Sequence, residues 1–237
     1  MIVPRFTQDR CVILSDGGVE SLLACAMASE QQQISGNERS VLLPGWWEGT
    51  QEIDLMISAV DPAVVRHAGV YGLEVFPQHA VFPPERVETD LQSESQSNIG
   101  PIQSQILLEA ALIAMRSGIR RVVWPVRVIR PETTSAMEGF VDQIAIAVDR
   151  AVLASRLASL DADQSTAVDV VIETPFVDLS NEQMWDLAGD MALPIETCWW
   201  HDGRTLPNGQ ERYAYWSRLS MRSQSQIEAK NRSGNLV

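Results

Sequence analysis

A chain of 237 residues is long enough for one α/β domain with a full core. Its 45% hydrophobic and 21% charged residues suit a globular protein, and no apolar run approaches the ~20 residues of a membrane helix. Eighteen basic against 31 acidic residues give a net charge of −13, which repels a phosphate backbone and argues against direct nucleic-acid binding. The N-terminal residues show no apolar core followed by a small-residue cleavage site. Three cysteines, Cys11, Cys25 and Cys198, form no even framework. Both features point to a reducing cytoplasm.

The first element is the apolar run Cys11–Leu14, which meets the glycine pair Gly17 and Gly18 before a helical periodicity over Glu20–Ala28. A strand, a glycine turn and a helix start in that order aim backbone N–H groups at whatever lies above the strand end, a seat for a phosphate or another anion. The candidate binding residues are therefore Ser15, Asp16, Gly17, Gly18, Glu20 and Ser21. Asp16 is the awkward member. A carboxylate ~4 Å from a phosphate at an effective dielectric of ~20 costs roughly 4 kcal/mol. Three roles are open to the two acids. Asp16 turns away and leaves the hydroxyl role to Ser15, Asp16 and Glu20 share a divalent cation, or the pair simply caps the helix.

Further strands are expected at Ser40–Leu43, Leu73–Phe76, Arg121–Trp124 and Val168–Ile172, alternating with helices over Gln51–Val65, Ile102–Met115 and Met137–Leu157. The clearest helical face carries Ile102, Ile106, Leu107, Ala110, Ile113 and Ala114. This alternation predicts an α/β fold with a doubly wound parallel sheet, which puts the first turn at the ligand-binding carboxyl edge. His79–Asn98 and the tail from Ser220 to Val237 read as irregular. Arg116, Arg120, Arg121, Arg127 and Arg130 are expected on different faces, solvated or ion-paired.

In the C-terminal third, Ser180 reads as an N-cap with Gln183 completing a capping box. Met184, Leu187, Ala188 and Met191 form the buried stripe and Pro194 marks the stop. Trp199, Trp200, Tyr213, Tyr215 and Trp216 make either a packed aromatic cluster or a stacking platform for a purine-like base. The pairs Trp46–Trp47 and Trp199–Trp200 fall in segments that read as loops. Adjacent residues in extended chain face opposite ways, so one ring of each pair is expected to need cover from outside the monomer. That predicts a homodimer with Trp46 or Trp199 near the contact.

The segment from Ser15 to Ser21 resembles the Ser-Gly-Gly-X-Asp-Ser loop of the PP-loop ATP pyrophosphatases, with Asp16, Glu20 and Ser21 at that family's three polar positions. The stretch Thr174–Cys198 resembles the 7-cyano-7-deazaguanine synthase branch of those enzymes, where a helix, a Gly-Val-Pro and a Cys follow a Pro-terminated strand. Where that family carries Pro-Gly-Arg-Asn before its third long helix, this chain reads Gly100-Pro-Ile-Gln-Ser-Gln105. Its structural zinc site would place ligands at Cys198, Asn208, Glu211 and Ala214, a set that cannot hold zinc, so no zinc is expected.

The resemblance implies an adenine nucleotide hydrolase-type domain over 1–197, a modified C-terminal lobe over 198–237, and ATP with magnesium as cofactors. It also implies adenylation of a carboxylate or amide with release of pyrophosphate, the substrate being a 7-deazapurine carboxylate of queuosine-type biosynthesis. Two functions therefore stand: a diverged PP-loop enzyme that binds a nucleotide or anion, or a non-catalytic ligand- or partner-binding module on the same scaffold.

Overall fold

The computed structural model describes residues 10–36, 38–47, 53–76, 81, 99–129, 137–161, 169–202 and 209–218. In chain order these are β1 (Cys11–Ser15), α1 (Val19–Ser35), β2 (Val41–Pro44), α2 (Ile53–Tyr71), β3 (Glu74–Val75), α3 (Ile99–Arg116), β4 (Arg121–Val123), α4 (Met137–Asp161), β5 (Val171–Glu173), α5 (Asn181–Asp190) and α6 (Trp199–Asp202). Residues 209–218 form a further helix.

All five strands pair in parallel in the order β3-β2-β1-β4-β5, with Val12 of β1 opposite Val41 on one side and Val122 on the other. A parallel sheet needs both faces covered, and strand alternation supplies both. Cys11 and Ile13 join a core built with α1, α2, α5 and α6, while Val12 and Leu14 join a second core built with α3 and α4. The fold is a doubly wound α/β sheet. Winding reverses between β1 and β4, so the crevice above their carboxyl ends is the switch point where open α/β sheets bind ligands.

The expected elements are present, with changed ends. Helix α1 runs on from Ala28 to Ser35 and stops at Gly36 in a left-handed C-cap (φ 67°), because its polar last turns lie on the solvent side where no apolar period marks them. Helix α2 passes Pro62 and reaches Tyr71. Strand β3 shrinks to two residues and β5 begins at Val171. The capping box at Ser180 and Gln183 forms as expected, with Met184 and Ala188 buried beneath it. Apart from Val81, the segment 79–98 lies outside the described residues, as do Arg130 and the tail from Ser220.

The tryptophan pairs correct an expectation. Trp46, Trp47, Trp199 and Trp200 are all at most 5% exposed. Trp46 and Trp47 do point to opposite sides, but each side is a core, so both rings are covered. Trp199 and Trp200 sit on the helical turn of α6 rather than in extended chain, and Trp199 meets Trp46 edge-to-face with centroids 5.9 Å apart. No exposed ring is left in these pairs to call for a second subunit.

Candidate functional site

The turn after β1 is built around its own carboxylate. Gly17 holds φ +71°, and a Cβ there would stand 2.8 Å from the Ala63 Cβ, so only glycine fits. Asp16 Oδ1 accepts the Gly18 N–H at 2.9 Å and the Ser21 hydroxyl at 2.6 Å. The first of these closes an Asx turn. The Asp16 N–H donates to Ser21 Oγ at 3.1 Å, and the Gly17 N–H donates to Ser15 Oγ at 3.3 Å. Behind the turn, the Trp199 N–H donates to the Gly17 carbonyl at 3.1 Å, tying α6 to the loop.

Glu20, one helical turn on, is held from the far side of the switch point. Arg127, in the segment after β4, donates from Nε to Glu20 Oε1 at 3.0 Å and from Nη1 to Asn181 Oδ1 at the start of α5. The side chains of Arg127 and Glu20 are only 7% and 12% exposed. A cleft of about 880 Å³ opens above them, bounded by Asp16, Glu20 and Arg127 below and by Trp47, Tyr215 and Trp216 at its side. Burial pushes the Tyr215 phenol up, and the neighbouring Arg127 guanidinium opposes that shift.

All six predicted binding residues lie at this turn, but only Asp16 and Glu20 line the cleft. Ser15 and Ser21 are fully buried beneath it, with their hydroxyls engaged by the loop. Asp16 does not turn away, as one expectation allowed. Nor do the two acids sit as a cation pair, since Arg127 answers Glu20. Arg127 itself, and Asn181 beside it, escaped the sequence reading as site residues. The only signal was Arg127's place three residues past an apolar strand, and its partner lies 107 positions earlier.

The described positions of the family's zinc frame lie in different surroundings. Cys198 is fully buried, and burial, with the charges of Asp16 and Glu20 acting the same way, pushes its thiol well up. Glu211 and Ala214 are exposed on the 209–218 helix and line the cleft, while Asn208 lies outside the described residues. Among the described residues no group of three or more His, Cys, Asp or Glu side chains is placed to hold a metal. The aromatic residues form a packed cluster, with Trp200–Tyr213, Tyr215–Trp216 and Trp185–Trp216 centroids 6.2, 5.4 and 6.1 Å apart.

The turn after β1 does not stand open to the triphosphate that the loop resemblance implies. The backbone N–H groups of Asp16, Gly17 and Gly18 are all engaged within the turn, and the anion seat already holds a carboxylate. Hydrogen bonds to a charged group are worth about 1.5–3 kcal/mol each, so displacing Asp16 is costly, and leaving it in place repels phosphate.

No protein-family model matches this chain, and no curated protein does. Among solved structures it is similar to the U34-tRNA thiolase NcsA from Methanococcus maripaludis with its [4Fe-4S] cluster, at 14% identity and a TM-score of 0.49, over 90% of this chain and 71% of that one. At this identity and score the likeness identifies no relative. What the chain itself establishes is a doubly wound parallel α/β fold whose first turn, at the switch point, is closed by Asp16.

Proposed function

We propose that this protein is a ligand-binding module on a diverged PP-loop scaffold, and that it does not adenylate a substrate. The observation that carries this is the Asp16 carboxylate bonded to the Gly18 N–H and the Ser21 hydroxyl, in the seat a phosphate would need. The cleft beside it is lined by Tyr215 and by acids and arginines in equal number, Asp16, Glu20 and Glu211 against Arg127, Arg212 and Arg218. Such a site suits a neutral or zwitterionic ring compound better than a polyanion. A kinship with the 7-cyano-7-deazaguanine synthases, and a 7-deazapurine as ligand, belong to the same proposal. Their support is the wording of Thr174–Cys198 together with the strand order. Three buried, unpaired thiols are in keeping with a reducing compartment.

Magnesium bridging between Asp16 and Glu20 is the rival that would keep the enzyme alive. The Arg127 guanidinium 3.0 Å from Glu20 opposes it, because a fixed cation there repels a divalent one. Calorimetric titration with ATP, pyrophosphate and adenosine, each with and without Mg²⁺, decides between them. The expected result is that adenosine binds at least as tightly as ATP and that magnesium changes neither. Pyrophosphate release from ATP in the presence of any carboxylate or amide substrate would overturn the proposal.

A further inference from the structure

Helix α4 is packed inside out. Its buried face carries Phe140 and then Ala147, Ala151, Ala154 and Ala158, at helical spacings of four, three and four. Alanines let it lie close to α3 and the sheet, but they bury little area. Apart from Ile144, the large aliphatic side chains point the other way. Val141, Ile146, Val152, Leu153, Leu157 and Leu160 are 43 to 81% exposed. Together they present on the order of 600 Å² of apolar surface, in two rows on either side of Asp149 and Arg156.

We infer that this face of α4 is the contact for a second copy of the chain, the two α4 helices lying antiparallel across a two-fold axis near Val152 and Leu153. Two observations select that occupant. The first is area. Six side chains from each copy offer at most about 1,200 Å², against the ~1,000 Å² a specific interface needs. The second is charge. Asp149 and Arg156 flank Val152 and Leu153 on the same stripe, and neither takes part in an ion pair among the described residues. A two-fold pairing centred on Val152 and Leu153 sets Asp149 of each copy against Arg156 of the other and Leu157 against Val148, so one patch complements itself, as an isologous contact requires. The reverse assignment, a partner strand added to the sheet edge, is blunted by the same helix. Edge strand β5 donates its Ile172 N–H to Ser155 Oγ of α4 at 3.0 Å.

The dimer contact expected at Trp46 or Trp199, whose rings are already buried, thus moves to α4. Sedimentation velocity of the full chain, from micromolar to near-millimolar concentration, tests it. The expected mass is twice 26.3 kDa, and Leu153→Glu is expected to weaken association by at least ~100-fold. Leu153 is 63% exposed, so this variant keeps its fold, which the near-ultraviolet dichroism of the tryptophans verifies. Asp149→Arg is expected to weaken the dimer by ~10-fold or more, and adding Arg156→Asp to restore most of the loss. A wild-type mass of 26.3 kDa throughout overturns the inference, whether the stripe serves another protein, a membrane or the chain's own tail. So does a dimer indifferent to Leu153→Glu, and so does a double charge reversal no tighter than the single one.

Discussion

Asp16 Oδ1 stands 2.6 Å from Ser21 Oγ, and the same oxygen takes the Gly18 N–H, so the protein supplies its own anion to a turn shaped for one. Replacing Asp16 with Ser removes the like charge and frees the Gly18 N–H. Pyrophosphate and ATP are then expected to bind at least ~10-fold more tightly than to the wild type, since a relief of ~1.4 kcal/mol already gives that factor. Calorimetry at one fixed salt concentration makes the comparison. Weaker binding by the variant would mean that Asp16 serves as a cation ligand.

Arg127 and Glu20 lock the two sides of the switch point together. Arg127→Ala leaves Glu20 with a buried, unanswered charge and is expected to cost about 2–3 kcal/mol, the low end for a broken buried pair because both groups keep some exposure. Urea unfolding measures it, and the double variant with Glu20→Ala should recover part of the loss. A change below ~0.5 kcal/mol would place the pair among ordinary surface contacts.

His67 is fully buried on α2, and burial lowers its pKa to about 3, with Arg66 adding to the shift and a Thr197 backbone contact opposing it. The ring is therefore neutral in the folded chain. Between pH 6.5 and 3 the unfolded state takes up a proton that the folded state refuses, so stability falls as the pH drops through that window. The penalty is about 2 kcal/mol by pH 5. His67→Leu should remove this share of the difference between urea midpoints at pH 7 and pH 5. An unchanged difference would assign the acid sensitivity elsewhere.

Gly17 combines a left-handed backbone with a neighbour too close for any Cβ. Gly17→Ala is expected to destabilise by about 2–4 kcal/mol, from the conformational strain and the contact with Ala63 together. The double variant Gly17→Ala/Ala63→Gly lacks the contact, so its loss relative to Ala63→Gly alone reports the strain of φ. Thermal unfolding of the set separates the two contributions. A double variant as stable as Ala63→Gly alone would show that φ contributes nothing.

The sequence by itself determined the strand–helix alternation, and hence the parallel sheet, because hydrophobic period and turn residues are local properties. It located the loop, the capping box at Ser180 and the helical face at Ile106 and Leu107 for the same reason. What local pattern could not hold is partnership. Glu20 meets Arg127 across 107 positions only because β1 and β4 are neighbours in the sheet. Trp46 finds Trp199 across the core, which hides rings that the sequence left exposed. The direction of α4 is the sharpest case. Its alanines and its aliphatics both recur at helical spacing, so periodicity allows either face inward. The close approach of α3 and the sheet selects the alanines and turns Val152 and Leu153 outward.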